Sequence, residues 1–520
     1  MHDAVVIGSG PNGLVAANVL ADRGWDVVVL EANDTPGGAV RSGEITAPGF
    51  RSDLFSAFYP LGAASPVLRD LDLERWGLQW ARSPLALAHP TVDGPSALLS
   101  MDLAETAASL DQFALGDGER WASLFEIWER THEPFLDLLL RPFPPVKAGL
   151  RLAASAGPTL PELVRIGLGN VRSMGRRHFR GDGGRLLLAG NAGHADIPMD
   201  QAGSALFGWI MTCLGQSVGF PTPAGGAGEL TAALLRRLAD KGGRLELGQR
   251  VEAVEVRDGR AKAVRLVTGE VVPARRAILA DVGAPALYLD LVGAHHLRDG
   301  FVKRLRKFRQ GPSTVKVDWA LSSPIPWTDA AVGGAGTVHV GDSVDEITQT
   351  FRGVEEGEIP ARPFLLVGQM TTADPSRSPA GTESAWAYTH VPQVTRTDGA
   401  NELKGTWDDR EGERFAERME DRIERLAPGF RDRIVARHIF TPPALEASNA
   451  NLVGGDIGSG TMQLSQQLVL RPVPGLGRAE TPIKGLYLAS ASAHPGGGVH
   501  GACGANAAEA ALLHDRFRRT

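Results

Sequence analysis

Residues 3–31 read DAVVIGSGPNGLVAANVLADRGWDVVVLE, and their reading decides the fold. Asp3 to Gly8 is a short β-branched run of the kind buried in a parallel sheet. Gly8-Ser9-Gly10-Pro11-Asn12-Gly13 then spells G-x-G-x-x-G. From Leu14 to Arg23 the apolar residues Leu14, Val15, Val19 and Leu20 recur at helical spacing, and Gly24 suits a carboxyl-terminal cap. Trp25 to Leu30 reads as a second buried strand, ending in Glu31, 18 residues after Gly13. Strand, glycine turn, helix, strand and acid in this order make the dinucleotide-binding fingerprint. Gly8 permits the tight turn, Gly10 lets the backbone approach a pyrophosphate, and Gly13 lets helix and strand pack closely. The helix amino terminus, with Asn12 just ahead of it, offers unpaired N–H groups and partial positive charge to phosphates. Glu31 is placed to accept a hydrogen bond from a ribose hydroxyl.

The rest of the chain is consistent with a large bound nucleotide. Its 520 residues are 43% hydrophobic and 22% charged, which is a globular composition with a sizeable core. The net charge of −6 argues against a nucleic-acid binder. Cys213 and Cys503 cannot build a disulfide framework or a four-thiolate metal site, and no metal site is expected. No apolar run approaches the ~18 residues of a membrane span. The first strand begins by Asp3, so no leader is expected and the cytoplasm is the expected compartment. Glycine is the outlier, at 63 residues, and it falls in tight clusters flanked by strand-like runs, where backbone turns sharply or comes close to something.

Beyond Glu31 and Ala32 the chain reads Asn33-Asp34-Thr35-Pro36-Gly37-Gly38-Ala39-Val40-Arg41. A Gly-Gly pair with an arginine soon after the acid resembles the second fingerprint of glutathione-reductase-like flavoproteins, in their amine oxidase and phytoene desaturase branch. The resemblance implies FAD, with Gly37 and Gly38 near the diphosphate and Arg41 supplying charge. Near the other end, Gly485 to Ser490 reads as a strand, residues 491–506 (ASAHPGGGVHGACGAN) as a glycine-rich loop, and Ala507 to Phe517 as a closing helix. In the same flavoproteins such a segment meets the flavin, which implies contacts from Ser492, Gly497, Gly498 and Val499. In the middle, Pro223 to Leu230 (PAGGAGEL) precedes an amphipathic run. Four strand-like stretches follow at 244–248, 251–257, 261–268 and 277–280. The resemblance places Val251 against the adenine.

With these segments located, the chain resembles the phytoene desaturase superfamily of FAD-dependent oxidoreductases along nearly its whole length. The branch is that of carotenoid-ketolase-like and pyridine-nucleotide-disulphide-oxidoreductase-domain proteins, carried by His494 to Ala508 and by Gly454-Gly455-Asp456, Gln466-Gln467 and Arg471-Pro472. Two residues, Ala39 and Val40, separate the glycine pair from Arg41, where carotenoid desaturases have none. The implied fold is α/β: a glutathione-reductase-like FAD-binding Rossmann domain at 1–89, 223–295 and 446–520. An inserted α+β substrate or cap domain occupies 90–222 and 296–445.

No C-x-x-C pair exists for disulfide reduction, and no second fingerprint exists for a nicotinamide. Oxygen or a quinone is therefore the expected electron acceptor. His194, His494 and His500 are the candidate acid–base residues, since histidine titrates nearest neutrality. Cys503 is a candidate for a covalent flavin link. Residues 141–180 hold eight basic side chains against one acid, Glu162, which makes a peripheral membrane contact a candidate beside a solvated helical cap. Glu411 to Leu426 reads as an ordinary packed helix. Four functions stay open. They are an FAD oxidase or desaturase of an apolar, isoprenoid-like or polyene substrate, a flavin amine oxidase, a redox-neutral isomerase or saturase, and a flavin-binding interaction protein without turnover. Oligomeric state is not legible.

Overall fold

The computed structural model describes residues 1–519. The run that opens the chain forms the strand His2–Ile7, parallel to Val27–Leu30 on one side and Val271–Ala280 on the other, with Val5 opposite both Val28 and Ile278. Leu486–Leu488 adds beyond Val271–Ala280, and Arg244–Glu246 beyond Val27–Leu30, both parallel. Val271–Ala280 does double duty. Its first residues pair antiparallel with Arg260–Leu266, which pairs with Val251–Arg257, so a meander joins the parallel sheet to make seven strands. The sheet is buried on both faces, as continuous β-branched runs require. Leu14, Val29, Leu234 and Ala508 pack on one side, and Val5, Ile278, Tyr288 and Phe301 on the other.

The first helix runs Pro11–Ala21, earlier than its apolar spacing indicates, because Pro11 takes the opening helical position where its missing N–H costs nothing. The closing helix runs Ala502–Arg519 and so begins inside the stretch that reads as loop. A Cβ on Gly504 would overlap the Asn12 carbonyl oxygen. Direct packing of this helix on the first one outweighs the weak helix propensity of glycine.

A second sheet has seven strands in the order Ile434–Phe440, Ser313–Leu321, Glu383–Val391, Leu365–Gln369, Ala335–Val340, Leu85–His89 and Ala97–Leu99. One face carries Val315, Val317, Val338 and Val367 against the helix Asp409–Glu424. Burial of Phe415, Met419 and Ile423 there stabilises the pair by about 2 kcal/mol per side chain. The boundary drawn at residue 89 needs correction: Leu85–His89 pairs parallel with Ala335–Val340 and belongs to the second sheet. Its apolar run fits either sheet, and only the register decides.

Residues 141–180 fold as the short helices Val146–Ala156, Leu160–Leu168 and Val171–His178. The charge imbalance read there is reduced by the fold. Arg165 and Arg177 pair with Glu162, Arg141 and Arg151 with Asp137, and Arg172 with Asp345. Among the described residues no helix is long and apolar enough to cross a membrane.

Candidate active site

The glycine turn is held open by its own backbone. Gly8 has φ +92°, and a Cβ on Gly13 would overlap the Gly8 carbonyl oxygen. A Cβ on Gly10 would come 2.5 Å from an Asp281 carboxyl oxygen, and one on Gly38 would come 2.9 Å from the Gly10 Cα. The second glycine pair thus folds onto the first turn. Arg41 braces that fold, donating from Nε to the Gly38 carbonyl at 3.0 Å and from Nη2 to the Ser448 carbonyl at 2.8 Å, with its guanidinium 5.2 Å from the Phe55 ring centre. Burial lowers its pKa from the usual arginine value.

Glu31 is buried at the end of its strand and accepts from the Ser9 amide, the Ser9 hydroxyl and the Asn33 amide. Ala32 beside it is exposed. Gln249 donates to the Glu31 carbonyl, which brings the start of Val251–Arg257 to the same end of the sheet. Asn12 Oδ1 is buried with no hydrogen-bond partner among the described residues. A cradle that only glycine can line and a helix amino terminus with its free N–H groups fit a dinucleotide's phosphates.

The central glycine loop does something else. The Gly225, Ala227 and Gly228 amides donate to Asp374, Asp53 and Ser42. Arg377, fully buried, pairs with both Asp53 and Asp374. This loop is a tie between the two sheets' units, and its amides are already satisfied.

Between the terminal glycine loop and the second sheet lies a cavity of about 350 Å³, lined by Ala39, Phe58, Tyr59, His194, Lys316, Trp386, Tyr388, Gly497, Gly498 and Val499, among others. Alternation along the strands puts Lys316 opposite Tyr388 and Asp318 opposite Trp386 on this face. Lys316 is buried, ion-paired with Asp318, and about 6 Å from the Trp386 and Phe440 rings. Burial raises the Asp318 pKa to about 6 against the pull of Lys316. The Trp386 and Tyr388 rings stack at 5.9 Å, and a Cβ on Gly368 would fall inside the Trp386 indole.

The three histidines separate. His194 lines the cavity and shares a 3.0 Å Nε2–Nε2 hydrogen bond with buried His339. Burial lowers its pKa to about 3, so it is a neutral imidazole. His494 bonds the Arg141 carbonyl through Nε2 at 2.9 Å and anchors the terminal loop to the end of the helix Asp117–Leu140. His500 accepts the Ala502 amide through Nδ1 and caps the closing helix. Neither of the latter two is among the cavity-lining residues. The Cys503 thiol, pushed up to about 12 by burial, donates to the Ala493 and Gly496 carbonyls, and its surroundings are those of a small buried thiol. Ser492 is buried and donates to the Ser459 carbonyl.

Comparison with known proteins gives this geometry a family. Residues 12–377 match the flavin containing amine oxidoreductase model. The chain belongs to that family. It is 30% identical to pyridine nucleotide-disulfide oxidoreductase domain-containing protein 2 of Mus musculus, over 98% of this chain and 92% of that one. It is 27% identical to phytoene desaturase (lycopene-forming) of Pseudescherichia vulneris, over 99% of both. An oxidoreductase structure from Methanosarcina mazei matches the fold with a TM-score of 0.64 at 17% identity, over 98% of this chain and 99% of that one. This member of the amine oxidoreductase family is an FAD-dependent oxidoreductase, as the resemblance implied.

Sequence reading missed several residues of this family member's site. Lys316 and Asp318 alternate with Val315 and Val317, a pattern that reads as one wet face, yet both faces of the strand are buried. Arg471 reads in the sequence only as part of a motif. It is fully buried and donates to the carbonyls of Gly458, Gly460, Thr461 and Ala491, fixing a cavity-lining loop to the terminal loop. Asp281, directly after a strand and touching the glycine cradle, carried a signal: an acid at a buried parallel strand's end.

Proposed function

We propose that this FAD-dependent oxidoreductase acts on a neutral, apolar small molecule bound in the cavity between Gly497–Val499 and the second sheet. When bound, FAD supplies a hydride acceptor at N5 for a substrate C–H bond. The observation that carries the reading is the cavity wall: aromatic and aliphatic side chains dominate, and among the described residues no aspartate or glutamate lines it. A cationic amine would bury its charge there beside Lys316 with no lining carboxylate to meet it. At about 350 Å³ the cavity is near the lower end of ligand sites.

The second sheet and its helices act here as the substrate domain. Trp386, Tyr388 and Phe58 give flat apolar contact, Lys316 and Asp318 set the local field, and His194 offers a neutral imidazole for one directed hydrogen bond. His494 and His500 hold the terminal loop in shape. Electrons leave to oxygen or a quinone.

The test is anaerobic absorbance of the holoprotein at about 450 nm, the flavin band, with hexane-soluble and water-soluble cell extracts added separately. Bleaching by the hexane-soluble fraction supports the proposal. Bleaching by polar amines alone moves the function to amine oxidation, which the family's name also covers.

Delivery of such a substrate gives a role to residues 141–180. Val146 and Leu150 on one helix, and Val164 and Leu168 on another, are exposed among Lys147, Arg151 and Arg165. Apolar side chains ringed by basic ones suit the surface of an anionic bilayer. Cosedimentation with anionic but not neutral vesicles, lost in Leu150→Asp, checks this contact.

A further inference from the structure

All three glycines of the first fingerprint face one acid. The parallel register sets Ile7 opposite Ala280, so the residue after each strand, Gly8 and Asp281, come side by side. The Asp281 amide donates to the Ile7 carbonyl at 2.8 Å, and its own carbonyl accepts from the Asn451 side chain at 3.0 Å, so the residue is locked at both ends. A Cβ on Gly8 would come 3.0 Å from the Asp281 carbonyl oxygen, and one on Gly10 2.5 Å from Oδ2. Oδ2 accepts the Gly13 amide at 2.9 Å. The carboxyl therefore sits inside the cradle, on an amide of the same helix terminus that attracts phosphate.

A pyrophosphate and an ionised carboxylate on one helix terminus repel each other at low dielectric. We propose that Asp281 is part of the pyrophosphate site as the neutral acid, so that FAD binding draws one proton from solvent onto the Asp281 carboxyl, which then donates to the cofactor.

The surroundings favour that proton. Burial pushes the Asp281 pKa up to about 7, against the Gly13 amide and helped by the Glu31 carboxylate. The ionisable side chains that act on it are Glu31, from the end of the second strand, and the Cys503 thiol, from the closing helix. The latter stays a thiol through neutrality, since burial pushes it up to about 12.

Sign follows from linkage. Below about pH 7 the proton is already in place, and FAD affinity is flat. Above it each further unit of pH weakens binding, toward about tenfold per unit. The experiment dilutes the holoprotein and follows released flavin fluorescence from about pH 6 to about pH 9. The wild-type Kd is expected to climb across the upper part of that range, and that of Asp281→Asn, which keeps the shape and carries no charge, to stay level. Asp281→Ser is a second neutral variant in case the first fails to fold. A level wild-type Kd overturns the proposal, as does an equal slope in either neutral variant. A readout needing no variant is the infrared spectrum of the holoprotein at about pH 8. A protonated-carboxyl C=O band is expected, and its absence overturns the proposal. These measurements concern FAD alone, so they can fail while the substrate assignment stands, and the reverse.

Discussion

The glycine cradle at residues 8–13 and the aromatic wall on the second sheet are built in opposite ways. The cradle is backbone, contiguous in sequence, and defined by side chains that are missing. The wall is side chains, contributed by strands at 313–321, 335–340 and 383–391, and defined by how those strands align. Where function needs an approach of main chain to ligand, six residues suffice to announce it. Where it needs a shaped apolar surface, each residue is unremarkable alone.

The largest expected effect bears on the wall side. His89, His194 and His390 are buried and neutral, lowered to about 4, about 3 and about 4, and His339 is also held well below its ordinary value. Unfolded histidine titrates near about 6.5, so the unfolded chain gains protons first and stability is lost as pH falls through that value toward the folded values. Each group costs up to about 1.4 kcal/mol per pH unit, so one unit below about 6.5 costs on the order of 5 kcal/mol for the four. Asp281 and Asp318, raised to about 7 and about 6, take up protons in the folded chain first and offset part of that cost over the same range. The histidine share is therefore read by comparison: in thermal melts from about pH 7 to about pH 5, His89→Gln should lose less stability than wild type, by about one proton.

On the cradle side, Gly504→Val pushes the closing helix off the Asn12 carbonyl. The expectation is a loss of about 4 kcal/mol with flavin-free protein, read by Tm and the flavin-to-protein absorbance ratio. Gly10→Val must push the Asp281 carboxyl aside and should weaken FAD by about a hundredfold, about 3 kcal/mol. Flavin content equal to wild type after gel filtration would sink the cradle assignment. Gly368→Ala probes the wall instead: displacing Trp386 should cost about 2 kcal/mol and change which compounds bleach the flavin, while FAD occupancy stays full. The smallest effect is that of Glu31→Arg, which removes the acceptor of the Ser9 and Asn33 amides and should weaken FAD retention by about 1.5 kcal/mol. If Gly368→Ala emptied the flavin and Gly10→Val did not, the division of labour between the two sides would be reversed.

Legibility followed the same division. Gly8, Gly10, Gly13, Glu31, Gly37, Gly38 and Arg41 could be located from order and spacing, because a tight turn and a helix terminus are local events. The terminal loop was legible for the same reason, although its helix starts earlier than the glycines suggest. Of the three histidines offered by titration chemistry, only His194 reaches the cavity. A ring's position depends on which neighbours fill its surroundings, and His494 and His500 spend theirs on the Arg141 carbonyl and the Ala502 amide. The basic run at 141–180 looked uncompensated until Asp137 and Asp345 arrived from elsewhere in the chain.

Sequence by itself determined that this chain carries a dinucleotide fingerprint of strand, glycine turn, helix and acid, and that no second one follows. Those properties depend on backbone conformations that only certain residues permit, and such residues declare themselves one at a time. The cavity, its buried Lys316–Asp318 pair, the strand Leu85–His89 in the second sheet and the acid among the fingerprint glycines were decided by tertiary structure alone. Strand register has a period of two and carries no label for its partner, so which side chains share a face follows only from the assembled sheet.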